Sequence, residues 1–376
     1  MAETLGLYVH IPFCDGVKCP YCDFYSVPLE EKLAEAYIKA AESSILSYAE
    51  RAQGRVVDTV YFGGGTPSLL GSGLLRLLAA IKSSYNVKTD AEITLEANPS
   101  AALRETYDLL HGSGFNRLSL GMQSADVDEL ASLGRRHTPQ DTARAVSDAK
   151  AAGFENISLD LMLATPGQTI KSLRESIDFA AALEPEHISA YLLKIEPGTR
   201  FYDEKDTLQL PDNDAQAEYY FEACDCLADK GFLQYEISNF SKAGKESCHN
   251  LKYWNCDEYI GFGPGAHSFF GGRRFYYENS LEKFIGGVAA VDDGPGGDIE
   301  EYIMLRLRLN EGLGVKELKR RFGIGFELFD GSIISSLLGA GYIVIDSNAI
   351  SLTQKGFLVS NSVISTLLYK ESMLSD

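Results

Sequence analysis

Three cysteines, Cys14, Cys19 and Cys22, stand within nine positions of one another in HIPFCDGVKCPYCDFYS, and aromatic residues follow them almost at once. Thiols packed this closely point to metal chemistry. A tetrahedral zinc shell takes four Cys or His donors, whereas this segment offers three thiols, and its nearby histidine, His10, falls inside a predicted strand. A four-iron, four-sulfur cluster fits better. Three thiolates leave one iron without a protein ligand, open to the amine and carboxylate of a small molecule. The iron corners lie only a few ångströms apart, so one loop must wrap the cluster, and Gly16 and Pro20 suit so tight a path. On spacing alone, a zinc-binding or accidental grouping stays open.

The elements that would position such a loop are legible in the first two thirds of the chain. Short apolar or β-branched runs recur at LGLYVHI, DTVYFGGG, EITLEANP, RLSLGMQS, NISLDLMLAT and HISAYLLKI, with helical spacing between most of them, as in SLLGSGLLRLLAAIKSSY. Alternation of this kind predicts an α/β fold with a parallel sheet, and six such units make a partial (β/α)6 barrel whose chemistry sits at the C-terminal strand ends. Gly63 to Thr66, Glu96, Gln123 and Asp160 each close or follow a strand. Ordinary turn and capping chemistry is the competing explanation for any one of them. The spacing divides the chain into a core barrel over 1–235, a connecting aromatic-rich segment over 236–297 in which VDDGPGGD reads as a linker, and a C-terminal domain over 298–376. That last segment has the helices and hairpin of a small α+β, winged-helix-like unit. Its short basic run, Lys316, Lys319, Arg320 and Arg321, suits a packing or lid domain better than a DNA reader.

Composition removes several classes of function. The chain has 376 residues, 45% of them hydrophobic, enough for a large core, and a formal net charge of −19. Such an acidic chain is no match for nucleic acid, and a substrate with four carboxylates suits it poorly unless a pocket gathers its own positive charge. Seven cysteines, an odd number unevenly spaced, argue against a disulfide framework and for a reducing compartment. With no long apolar run to act as a membrane segment, the expected location is cytoplasmic.

The ordered motifs YVHIPFC…CPYCDFYS, YFGGGTPS, LEANP, LSLGMQS, LGRRH, LDLMLATPGQT, YEISNFS, HNLKYW, GFGPGAHSF and LRLRLNEGL cover nearly the whole chain. Through them the sequence resembles the radical SAM superfamily, and within it the oxygen-independent coproporphyrinogen III oxidase-like group. The resemblance implies a radical SAM barrel in which Cys14, Cys19 and Cys22 hold a 4Fe-4S cluster that binds S-adenosylmethionine (SAM). It also implies that Gly64, Gly65 and Thr66 receive the methionine part of SAM, that Glu96, Gln123, Arg135 and Asp160 contact the rest, and that Tyr8 lies near the cluster. One departure stands out: the family spaces its first two cysteines by three residues, and CDGVKC has four. A bulge at Asp15-Gly16 would absorb the extra residue.

Two branches of the group remain to be separated. The dehydrogenases carry an additional cysteine two residues after the third, where this chain has Phe24, and a longer N-terminal extension. Both features, with the length, resemble the heme-chaperone branch instead. CHNLKYWN is similar to the HNxxYW motif associated with heme in that branch, implying His249, or alternatively Cys248, as a heme ligand. A buried histidine bracing the sheet is the competing account. The expected function is therefore a chaperone that binds heme and passes it to a recipient hemoprotein. A reductant protein and peripheral contact with membrane hemoproteins are further partners left open. The alternatives are a coproporphyrinogen III dehydrogenase, and a heme-binding protein that has lost its cluster.

Overall fold

The structure is a computed structural model and describes residues 4–16, 18–99, 104–346 and 348–368. Val17, in the widened cysteine spacing, and the last eight residues of the C-terminal domain lie outside them.

Six strands run parallel in chain order: β1 (Thr4–Ile11), β2 (Val56–Gly64), β3 (Val87–Ala97), β4 (Arg117–Gln123), β5 (Ile157–Leu163) and β6 (His187–Leu192). Helices α1 (Glu31–Ala49), α2 (Ser72–Ser84), α3 (Arg104–Ser113), α4 (Pro139–Ala151) and α5 (Ile170–Ala182) make the crossovers, and α6 (Asn213–Asp229) follows β6. The helix starts are written locally. Thr138 and Asp141 form a capping box with Pro139 in the first turn of α4, and Thr169 and Ser172 do the same for α5.

Side chains alternate across each strand. In β1, Leu5, Leu7, Val9 and Ile11 are fully buried in the main core, whereas Gly6, Tyr8 and His10 share the other face. On that inner face the neighbouring strands place Thr59 and Tyr61, Glu92 and Glu96, Arg117 and Ser119, Ser158 and Asp160, and His187, and Tyr61 meets Glu96, Ser119 meets Asp160, Ser158 meets His187 and Arg117 faces Glu92. The helices therefore pack on an apolar surface while the barrel interior is polar. That arrangement is stable only where the interior groups find partners.

Residues after α6 extend the sheet at both ends. Strand β7 (Asn239–Ser241) pairs antiparallel with β6, and β8 (Tyr259–Phe262) pairs parallel with β1. Beyond β8 come β9 (His267–Phe270), β10 (Arg273–Tyr276) and β11 (Val291–Pro295), all antiparallel, and at the other end Leu233–Gln234 pairs antiparallel with β7, giving a sheet of twelve strands among the described residues. The VDDGPGGD segment is thus an edge strand over much of its length and not a linker. An edge tolerates Gly294 and Pro295 because one side of its ladder needs no partner. The C-terminal unit has helices Ile299–Arg306, Val315–Phe322 and Gly331–Gly339, then an antiparallel hairpin of Ile343–Ile345 with Ala349–Leu352, the winged-helix pattern. It docks through Arg321 to Asp257 (3.3 Å), Arg274 to Glu301, and Arg306 to Asn255.

Candidate functional site

The cysteine loop leaves the end of β1 and is pinned at both of its ends. Phe13 and Cys14 pair with Val27 and Pro28, and the Leu29 N–H donates to the Cys14 carbonyl (3.2 Å). A tight turn stands at Asp15-Gly16. The Gly16 N–H turns back to the Cys14 carbonyl (3.1 Å), with Gly16 at φ 78°, a conformation that glycine adopts without strain.

All three thiols face one cavity of about 450 Å³ at the C-terminal ends of the strands. Among the described residues, no three His, Cys, Asp or Glu side chains converge as a ligand set for a single metal ion. Burial pushes the Cys22 thiol up to about 11. It would therefore become a thiolate only with a cation bound to it.

The opposite wall carries Gly64, Gly65, Thr66, Glu96, Gln123, Arg135 and Asp160. The glycines are required first by the chain itself. A Cβ on Gly65 would fall 2.4 Å from the Phe13 carbonyl oxygen, and Gly64 sits at φ 113°. Gly65 and Thr66 donate their N–H groups to Ile11 and Phe13 (2.8 and 2.7 Å), which clamps the strand end against the cysteine loop. Glu96 accepts from the Tyr61 hydroxyl (2.7 Å) and from the Gly64 N–H (3.1 Å). Burial raises its carboxyl to about 7, partly offset by the Tyr61 hydrogen bond and reinforced by Asp160. Asp160 is raised too, chiefly by burial, with Ser189 and Ser119 as hydrogen-bonding partners. Gln123 is buried at φ 67°, in the left-handed region that non-glycine residues occupy at a cost.

Arg135 donates to Asn98 Oδ1 (2.8 Å), and Asn98 donates to Thr66 Oγ1 (3.1 Å). The Arg135 Nε is buried without a hydrogen-bond partner. A carboxylate is the group that would complete it. Asn98 was not singled out by the sequence reading. The signal was present, for it shares strand alternation with Glu92, Thr94 and Glu96, two residues beyond the last of them.

Two nominated residues lie apart from this wall. Tyr8 donates its hydroxyl to His10 Nδ1 (3.0 Å) and lines a second cavity of about 430 Å³ on the other side of Asp23 and Phe24. His249 is at the opposite end of the barrel, in helix α7 (Cys248–Trp254), and is 1% exposed. Its Nδ1 is 2.8 Å from the Thr59 hydroxyl and its Nε2 2.8 Å from the Tyr253 hydroxyl. Its ring stacks on Tyr61 at 5.2 Å. Burial, with Lys252 and Arg117 nearby, pushes its pKa down to about 3, so the ring is neutral. The Cys248 and His249 N–H groups donate to the two oxygens of Glu92 (3.1 and 3.0 Å), which stands 4.0 Å from Arg117. As arranged, α7 is a plug that braces the barrel floor. An iron atom would reach His249 only after Thr59 or Tyr253 released it.

Comparison with known proteins fits the geometry. A model of the Radical SAM superfamily matches residues 8–180, and one of the HemN C-terminal domain matches residues 298–359. The protein called heme chaperone HemW in Bacillus subtilis is 37% identical, over 96% of this chain and 98% of its own length. The HemW of Escherichia coli is 34% identical, over 97% and 98%. Among solved structures, the E. coli coproporphyrinogen III oxidase HemN superposes with a TM-score of 0.84 at 22% identity, over 97% of this chain and 90% of that one. This last likeness speaks to fold.

Proposed function

The chain belongs to the HemW branch of the HemN-like radical SAM family, and from that premise we propose that it is a heme chaperone, binding heme and handing it to a recipient hemoprotein. The observation that carries the reading is the three-thiol cavity, which keeps the donor set of the superfamily while Phe24, 61% exposed, occupies the place of the dehydrogenases' additional cysteine.

Cys14, Cys19 and Cys22 would hold a 4Fe-4S cluster, with SAM across the strand ends. Glu96 pairs the SAM ammonium, Arg135 takes its carboxylate through the atom now lacking a partner, and Asp160 accepts from ribose hydroxyls. Gly64, Gly65 and Thr66 leave room for the methionine portion, and Gln123 closes the pocket. The cluster with SAM supplies stability, gating or partner recognition for heme transfer. His249 enters as the ligand nominated by its motif, available to iron only when α7 is displaced from the floor. Among the described residues no helix is long and apolar enough to cross a membrane. The proposed setting is the cytoplasm, with a recipient hemoprotein, a reductant protein and peripheral contact with membrane hemoproteins as partners.

Anaerobic reconstitution followed by iron counting, SAM binding and heme titration tests this. Support would be about four irons per chain and a Soret band without consumption of coproporphyrinogen III. Multiple SAM-dependent turnovers to protoporphyrinogen would replace the chaperone with a dehydrogenase.

A further inference from the structure

Behind the wall that carries Gln123 and Asp160 lies a buried polar cluster that does not itself line the cavity. At its centre is Glu129, 4% exposed, on the short helix Val127–Ser132. One carboxylate oxygen accepts from the Ser124 hydroxyl (2.7 Å) and the Gln168 amide (3.0 Å), the other from the Ser172 hydroxyl (2.5 Å). All three of these donors are neutral. Taking a carboxylate out of water is costly, and here hydrogen bonds alone offset that cost.

The donors lead to the ends of two neighbouring strands. Ser124 follows Gln123, and the Ser124 N–H turns back to the Met122 carbonyl (2.9 Å) across Gln123 at φ 67°. That is a γ-turn of the rare, strained kind, with a positive φ at its centre. His137 Nε2 donates to the same carbonyl (3.0 Å). Gln168 clamps the end of β5: its Oε1 accepts from the Ala164 N–H (2.6 Å), its Nε2 also donates to the Met162 carbonyl (3.2 Å), and Ala164 sits at φ 59°. The helix that carries Glu129 runs on to Arg135, whose N–H donates to the Leu130 carbonyl (2.8 Å). Gln123 and Arg135 meet over Gly121, where a Cβ would come 2.9 Å from the Gln123 amide nitrogen and 3.0 Å from the Arg135 guanidinium. Backbone held this far from its preferred angles persists only where surrounding contacts over-determine it.

Resting on the reading of this cavity as a SAM site, we propose that Glu129 is a positioning residue for SAM: from outside the cavity its carboxylate ties the ends of β4 and β5 together and holds the γ-turn that sets Gln123 beside Arg135. Without the carboxylate, Ser124 and Gln168 lose their shared acceptor, and Gln123 relaxes to a negative φ that carries its side chain off the ligand. A glutamine at this position keeps the arrangement. Its oxygen accepts from Ser124 and Gln168, and its amide donates to the Ser172 hydroxyl, whose own proton has the Thr169 carbonyl at 3.0 Å.

The test is SAM titration of the reconstituted full chain by calorimetry, beside iron content and thermal melting. The variants are Glu129→Ala, Glu129→Gln, Ser124→Ala, Gln123→Ala and the double change Glu129→Ala with Gln123→Ala. At a temperature where it is folded, Glu129→Ala should bind SAM about tenfold more weakly, and Glu129→Gln within about threefold of wild type. Iron content should not change, because the cysteines sit on another loop. In the Gln123→Ala background, Glu129→Ala should add less than about twofold, since residues that act through one another are not additive. A folded Glu129→Ala that melts lower yet binds SAM as the wild type does would make Glu129 purely structural. Losses that multiply in the double variant would make its effect a general loosening. Either result overturns the proposal and leaves the SAM reading standing. If Glu129→Ala does not fold, Ser124→Ala decides, with an expected loss of about threefold or more. A wild type that binds no SAM overturns both.

Discussion

The two ends of the barrel use similar residue types to opposite effect. At the floor, His249 spends both ring nitrogens on Thr59 and Tyr253, and Glu92 spends both oxygens on the backbone of α7. At the strand C-termini, Arg135 keeps a buried nitrogen without a partner, Gln123 holds a costly backbone angle, and three thiols face open space. Burial shifts pKa values at both ends, driving His249 to about 3 and Glu96 to about 7. Perturbed titration is therefore no marker of a site here. The floor keeps buried atoms without a hydrogen-bond partner as well, Arg117 Nε and Trp254 Nε1 among them, so the difference lies in the open cavity that the strand C-termini present to theirs.

Removing the thiols gives the largest effect. Replacing Cys14, Cys19 and Cys22 together with alanine should take iron from about four per chain to near zero, with the brown absorbance, while the melting temperature of the apoprotein barely moves. Stoichiometric zinc and no iron in the wild type would erase the contrast between the ends. Next comes the floor. Arg117→Ala leaves Glu92 facing a lost charge and should cost about 3–5 kcal/mol, read by denaturation of the apoprotein, with cluster content intact in the fraction that stays folded.

Glu96→Gln should weaken SAM binding about tenfold, or about 1.4 kcal/mol. In the wild type, SAM affinity should rise as pH increases through about 7, because the ionised carboxylate pairs the ammonium better. The variant should show a flat profile over that range, by calorimetry at several pH values. In the apoprotein the same group has the opposite sign: its pKa is raised on folding, so its stabilising share is full at low pH and is lost as pH climbs to about 7. The floor carries a pH slope of its own. His249 folds neutral, so stability should fall as pH drops below the ordinary imidazole range towards 3, by at most about 1.4 kcal/mol per pH unit. His249→Asn should remove that slope, read by denaturation at several pH values.

Much of this was readable in the chain. Recurring apolar strand runs and the helical spacing between them gave the six-unit barrel, and the polar and glycine residues closing those strands placed its chemistry at one end. Gly64 and Gly65 were read as room for a ligand, yet Gly65 is needed first because Phe13 passes so close. What stayed hidden depends on distant partners. Nothing local in CHNLKYWN says that Thr59, 190 positions earlier, will occupy its histidine. Val291–Pro295 escaped notice because glycine and proline mark a turn unless the strand lies at an edge.

The pairing of β8 with β1 sets an order of events during synthesis. The strand that begins the chain is an interior strand of the finished sheet, and its neighbour on one side is made of residues 259–262. At roughly 5–20 residues per second, the ribosome needs on the order of ten seconds to a minute to deliver that neighbour, and long-range pairing of this kind is slow in itself. Until then the N-terminal strand has an uncovered ladder, and the cysteine loop hangs from an unfinished support. A cluster loaded before residues 259–262 emerge would be held by a loop on a half-built sheet.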